Sequence, residues 1–283
     1  MPEKIVVITG TSSGFGLLTA VEFARSGFRV VATMRDLNRR KELDAAVAAA
    51  GMTAKVDLRA LDVTQFETIP DFVEGAVRDY GRIDVLVNNA GFAVAGFVED
   101  VKLDELRLQF ETNFFGAVAM TKAVLPVMRR QQSGHIIQIS SIGGMQGTLS
   151  LSSYSASKHA LEGWSESLRL EVNALGIKVV LVEPGAFETG IWTRGARMAE
   201  EAVKHSSPNY QRSLRMRSAV KKLQKADPIA VATMIVMIAQ NPRPKLRYLV
   251  GRDAKVQLAL KRLLPWKSYE RMIASFLKVD QKQ

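Results

Sequence analysis

Short runs rich in apolar and β-branched residues recur at 4–9, 28–33, 55–60, 83–87, 135–140 and 177–182, and a last one stands at 247–250. Between them apolar positions fall three or four apart, as in Leu17, Leu18, Val21, Phe23 and Ala24. That spacing predicts helices at 14–26, 38–50, 64–80, 103–131 and 152–175. Pro126 lies inside the fourth of these and predicts a kink or local break there. Strands that are apolar along their whole length are buried on both faces, and their alternation with helices indicates parallel βαβ units. Right-handed crossovers then yield an α/β fold with a doubly wound parallel sheet of about seven strands and helices on both faces.

The alternation loosens between 183 and 226. Residues 186–226 read as a partly helical insertion, longer than a simple connector. Asp227 followed by Pro228 predicts an N-cap and first turn for a helix beyond it. A basic amphipathic tail occupies 252–283. Nothing along the chain marks a linker or a repeat, so residues 1–283 read as one domain.

Composition narrows the chemistry. The chain has 283 residues, 47% of them hydrophobic and 24% charged, and no cysteine. Disulfides, thiolate catalysis and cysteine-held metals are excluded. Three scattered histidines, His135, His159 and His205, do not make a metal site. The start of the chain lacks the pattern of a signal peptide, and no apolar stretch approaches the ~20 residues of a membrane span. A cytoplasmic protein is expected.

The formal charge of +11 is unevenly placed. Residues 1–193 carry 19 basic and 22 acidic side chains, whereas residues 194–283 carry 20 basic and six acidic, a net of +14. A solvated helix face and an acidic partner both account for this. No nucleic-acid-binding motif accompanies it.

Candidate chemistry begins at Thr9-Gly10-Thr11-Ser12-Ser13-Gly14-Phe15-Gly16. Glycines there permit positive φ and a close approach of backbone to a pyrophosphate, which then sits at a helix N-terminus where free N–H groups point. The turn follows a strand and opens a helix, as dinucleotide binding requires. Tyr154 and Lys158 are four apart on one predicted helix face. An ammonium beside a phenol favours the phenolate and suits it to proton transfer.

The Thr-Gly-x3-Gly-x-Gly turn, Asn88-Asn89-Ala90-Gly91, Ser141, Tyr154-x3-Lys158 and Pro184-Gly185 occur in an order that resembles the short-chain dehydrogenase/reductase family. The segments 32–37, 141–144 and 247–255 are similar to its hydroxysteroid and retinol dehydrogenase-like group. The resemblance implies a Rossmann-like fold. It also implies that Tyr154 exchanges a proton with a carbonyl or alcohol oxygen, that Lys158 tunes Tyr154 and binds the nicotinamide ribose, and that Ser141 polarises the carbonyl. Asn113 matches the family's holder of a relay water; the alternative is a polar residue satisfying a buried helix distortion.

Cofactor contacts are expected from Gly10, Thr11, Ser12, Ser13, Gly14, Phe15, Gly16, Arg35, Asp62, Val63, Asn89, Ala90, Gly91, Pro184, Gly185 and Thr189, besides Tyr154 and Lys158. An acid at the end of the second strand would favour NAD by binding a ribose 2′-OH. Met34 and Arg35 stand there instead, with Arg39 nearby, and point to NADP through a guanidinium fork for the 2′-phosphate. Asp36 keeps NAD open.

Substrate-pocket candidates are Ser141, Met145, Gln146, Leu149, Phe187 and Trp192, with Phe92 and Val94 beside them, an apolar set. The expected activity is NADP(H)-dependent interconversion of a carbonyl and an alcohol on a hydrophobic small molecule. A 3-oxoacyl-carrier-protein-type reductase and a non-catalytic NADP(H)-sensing regulator are the alternatives. The resemblance further implies a homodimer or homotetramer.

Overall fold

The structure, a computed structural model, describes residues 3–188, 196–222 and 226–277. Strands β1 (Ile5–Ile8), β2 (Arg29–Met34), β3 (Val56–Ala60), β4 (Val85–Asn88), β6 (Gly134–Ile139), β7 (Ile177–Pro184) and β9 (Arg247–Val250) form one seven-stranded sheet, in the order β3-β2-β1-β4-β6-β7-β9. Every pairing in it is parallel. The short strands β5 (Ala93–Ala95) and β8 (Ala196–Met198) pair separately.

Alternation along each strand feeds two cores. Val6 and Ile8 face the cluster built with helices α1 (Gly14–Arg25), α2 (Lys41–Ala49) and α8 (Ile229–Gln240). Ile5 and Val7 face the cluster that includes α3 (Ile69–Tyr80), α5 (Gly116–Gln131) and α6 (Ser152–Val172). A two-residue period with both faces covered explains why the inner strands β1, β2, β4, β6 and β7 read as largely apolar runs, whereas the edge strands β3 and β9 are mostly half-buried. Helix α8 starts one residue later than expected, with Pro228 rather than Asp227 at the N-cap, and Asp227 Oδ1 accepts from Ile229 N at 2.9 Å.

The predicted break in the helix at 103–131 is real but lies elsewhere. Helix α4 (Leu103–Phe110) ends in a π-helical turn, Glu111–Phe115, and α5 then continues unbroken past Pro126. Asn113, in the middle of that turn, directs its side chain to the Phe92 backbone and to Ser157 Oγ. Buried hydrogen bonds and the close approach of Gly116 to Val63 place the irregularity, not the proline.

The segments beyond the sheet fold back onto it. Strand β8 lies against β5, and helix α7 (Tyr210–Lys222) follows. The basic tail forms α9 (Arg252–Leu263) and α10 (Trp266–Leu277). Asp253 Oδ2 accepts from Ala186 N at 2.7 Å, Lys261 Nζ donates to the Met145 carbonyl at 2.6 Å, and Tyr269 OH donates to Gln146 Oε1 at 3.2 Å.

One ion cluster ties β7 and β9 to α6. Arg247 donates two hydrogen bonds to Glu162 Oε2 at 3.1 and 3.0 Å, lies 2.8 Å from Glu166 Oε1, and lies 3.1 Å from Glu183 Oε1. Burial, and then the charge of Glu162, push the Glu183 carboxyl up to about 7. The folded protein therefore holds this proton at pH values where the unfolded chain, at 4.5, has released it. Stability from this group is fully present at acidic pH and is lost as pH rises through about 7. Glu183→Gln should flatten the fall of thermal stability between acidic and alkaline pH. It should also raise alkaline stability by on the order of 2 kcal/mol. Parallel melting-temperature curves for the variant and the wild type would show that Glu183 ionises normally.

Candidate active site

Strand order reverses between β1 and β4, so their carboxyl ends diverge into a crevice where α/β sheets bind ligands. Here a cleft of about 510 Å³ opens. Its floor is the turn after β1. Gly10 and Gly14 adopt φ of 72° and 59°, the left-handed region that favours glycine. A Cβ on Gly10 would lie 2.8 Å from Ala90 Cα, and one on Gly16 would collide with the Gly10 carbonyl and the Asn89 amide.

Thr9 Oγ1 accepts from the backbone N–H groups of Asn89 and Ala90, both at 3.0 Å. Asn89 Nδ2 returns bonds to the carbonyls of Thr9 and Gly10 at 2.8 and 2.9 Å. The turn and the loop after β4 are thereby one unit. Helix α1 begins in this turn without a side-chain cap, and its first residues line the cleft, so its leading N–H groups suit a phosphate.

Of the expected cofactor residues, Gly10, Ser12, Ser13, Gly14, Phe15, Arg35, Asp62, Val63, Asn89, Ala90, Gly91, Pro184 and Gly185 line the cleft. Thr11 and Gly16 lie beneath it, with Thr11 Oγ1 donating to the Thr33 carbonyl at 3.0 Å. Thr189 lies outside the described residues. At the far end Arg35 and Arg39 join Met34 and Asp36 in the lining. Arg35 Nε is 3.9 Å from Asp62 Oδ2, while Asp36 Oδ1 accepts from Asn38 N at 3.0 Å.

At the other end Ser141, Tyr154 and Lys158 meet. Ser141 caps a short turn, its Oγ accepting from Gly143 N at 3.1 Å. Tyr154 is buried, which pushes its phenol above the usual value; a hydrogen bond with Ser141 opposes this. Lys158 is buried as well, and desolvation lowers its ammonium to about 8 against the opposing charge of Glu162. Its Nζ donates to the Ile139 carbonyl at 2.7 Å and lies 5.9 Å from the centre of the Tyr154 ring. A neutral phenol beside a hydroxyl, backed by an ammonium, suits proton exchange with an oxygen placed between Tyr154 and Ser141.

Asn113 is buried beside this group rather than in it. Its Oδ1 accepts from Phe92 N at 3.0 Å, and its Nδ2 donates to the Phe92 carbonyl at 3.0 Å and to Ser157 Oγ at 3.2 Å. These bonds tie the loop after β4 to α6 and use both Nδ2 hydrogens, while Oδ1 keeps one lone pair.

Among the pocket candidates, Phe187 and Ser141 line the cleft, joined by Phe92. Met145, Gln146 and Leu149 do not. The Met145 carbonyl accepts from Lys261, Gln146 is buried between Gln257 and Tyr269, and Leu149 packs with Phe97 and Met216. The tail helices α9 and α10 hold Met145 and Gln146, and α7 packs on Leu149. Trp192 lies outside the described residues.

Several contributors escaped the sequence reading. Leu108, Thr112 and Arg197 line the cleft, with the Arg197 guanidinium 5.2 Å over the Phe92 ring. Asp253, some 67 positions from Ala186, pins the turn at Gly185. The alternating sidedness of α9 was the available signal for Asp253; the Ile139 carbonyl, being backbone, had none. Among the described residues no cluster of metal-ligating side chains occurs.

The family model for short chain dehydrogenases matches residues 4–200. The uncharacterised oxidoreductase YusZ of Bacillus subtilis is 42% identical over 276 residues, covering 96% of this chain and 98% of its own. Retinol dehydrogenase 8 of Homo sapiens is 39% identical, over 86% of this chain and 80% of its own. A short-chain dehydrogenase from Streptomyces avermitilis superposes with a TM-score of 0.81 at 36% identity, covering 99% of this chain and 98% of its own. A metagenomic short-chain oxidoreductase in complex with NADP superposes with a TM-score of 0.70 at 26% identity, covering 88% and 96%. By its motifs, its sheet and these likenesses, the chain is an oxidoreductase-type member of the short-chain dehydrogenase family, grouped with its hydroxysteroid- and retinol-dehydrogenase-like branch.

Proposed function

We infer that residues 1–283 act as one cytoplasmic, homo-oligomeric NADP(H)-dependent enzyme that interconverts a carbonyl and an alcohol on a hydrophobic small molecule. The observation that carries this is the meeting of Tyr154, Ser141 and Lys158 at one end of a cleft whose floor is a glycine turn. Ser12, Ser13 and the start of α1 would hold the pyrophosphate, and Lys158 the nicotinamide ribose. The bound nicotinamide supplies or accepts the hydride. The chain's own part is protonic and orienting. Ser141 positions the carbonyl oxygen, and Tyr154, kept neutral by burial, donates its proton to that oxygen during reduction and recovers it during oxidation. The Lys158 ammonium favours the phenolate left behind. Phe92 and Phe187 on the lining favour an apolar substrate, as does the likeness to a retinol dehydrogenase. A sensor without turnover has no use for this proton-transfer group.

Arg35 and Arg39 in the lining support NADP, as does the NADP-bound relative, while Asp36 is engaged with its own loop. Titration should show NADPH binding about tenfold or more tighter than NADH. Arg35→Ala should narrow that gap, and tighter NADH binding would reverse the assignment.

Tyr154→Phe should lower turnover by about 10²–10⁴-fold with NADPH affinity nearly unchanged. Retained turnover would remove Tyr154 from the chemistry. Because Lys158 is charged below about 8 and neutral above it, kcat/KM for reduction should fall as pH rises through that value. A profile flat to well above it would separate Lys158 from the proton transfer.

A further inference from the structure

The net charge of +14 beyond residue 193 is not explained by the cleft. The two faces of α9 divide it. Facing inward, Ala254 and Leu258 are buried, Asp253 bonds Ala186, Gln257 accepts from Gln146, and Lys261 bonds Met145. Facing outward are Arg252, Lys255, Val256, Ala259, Arg262 and Leu263, all exposed and within an arc of roughly 120° on the helix. Every side chain on that arc is basic or apolar. At the start of α10, Trp266 and Lys267 are exposed as well, followed one turn later by Glu270.

An isolated exposed leucine such as Leu170 calls for no explanation. Here Val256, Leu263 and Trp266, close together along α9 and the start of α10, are 57%, 80% and 65% exposed. Three large apolar side chains among the cations give this face a second chemistry besides charge. An acidic protein patch would match the charge but leave Trp266 and Leu263 against polar surface. Anionic lipid matches both: the apolar side chains enter the headgroup boundary, tryptophan favours that depth, and each cation close to the surface adds attraction. Among the described residues no helix is long and apolar enough to cross a membrane, so the contact is peripheral.

We propose that the outer face of α9 and the start of α10 is a docking surface for an anionic lipid membrane. It lies one helix thickness, about 10 Å, from the Met145–Gln146 turn that follows Ser141. Resting on the function inferred above, contact here would bring the enzyme to the phase in which an apolar alcohol or ketone dissolves.

The test is co-sedimentation of the full-length protein with vesicles of phosphatidylcholine alone, and of phosphatidylcholine with phosphatidylglycerol, at low and high salt. Binding should be confined to the anionic vesicles and should weaken with salt. It should fall by about tenfold or more in L263D/W266D and in K255E/R262E. Both double variants should keep wild-type turnover of a short water-soluble ketone, which reports on folding, and K255E/R262E changes only exposed charge. Absence of binding to anionic vesicles overturns the proposal, as does equal binding to both kinds. Undiminished binding by both variants also overturns it and moves the contact to residues 204–222. Light scattering in which L263D/W266D splits a wild-type oligomer, with no vesicle binding, makes this face a subunit contact instead. Sedimentation needs no turnover, so a failure of the Tyr154 reading leaves this result standing.

Discussion

The cleft depends on two backbones being held in contact: the turn after β1 and the loop after β4. Thr9 and Asn89 join them through four hydrogen bonds, and Gly10 and Gly16 leave out the Cβ atoms that would force them apart. Because the sheet is parallel and buried on both faces, all its strands deliver their carboxyl ends to the same edge. Once those two segments are joined, the start of α1 is aimed into the crevice, and β6 and β7 bring Ile139, Ser141 and Gly185 to its rim. A substitution at Thr9 or Asn89 would loosen the floor without touching the residues that meet at the other end.

Desolvation governs that other end. Tyr154 and Lys158 are both buried, and in each case burial favours the neutral form. What keeps the lysine usable is a short list of partners: the Ile139 carbonyl in contact, and the carboxylate of Glu162 one turn further along α6. Glu162 is in turn held by Arg247, which stands on the last strand. The edge of the sheet is thus electrically continuous with the centre of the cleft. A charge change at Arg247 would reach Tyr154 through two intermediates.

The sheet was legible because both of its signals are local. Runs such as Ile5–Ile8 and helical spacing such as that at Leu17, Val21 and Ala24 depend on neighbours in sequence. The glycine turn and the Tyr154–Lys158 pair were readable for the same reason, each being a fixed spacing on one element. What escaped depends on contacts between distant segments. Strand β5 is three residues long and is a strand only because β8 lies beside it. Met145 and Gln146 read as free pocket walls because nothing nearby in sequence announces that Lys261, Gln257 and Tyr269 cover them. The break expected at Pro126 is displaced for a physical reason: the proline rule describes a missing hydrogen bond, whereas the π turn coincides with buried polar groups at Asn113.

The π turn has an architectural meaning of its own. It inserts one residue between α4 and α5, so the two helices are out of phase by about 100° relative to a continuous helix. Leu108 and Thr112 point into the cleft, and Gln109 reaches the Phe92 backbone, only in that offset phase. Deleting a single residue there would straighten the helix and rotate this whole set away from the loop after β4. The turn works as a phase-setting insertion: one extra residue decides which side of a helix faces the cleft, while α5 and the sheet it covers keep their own register.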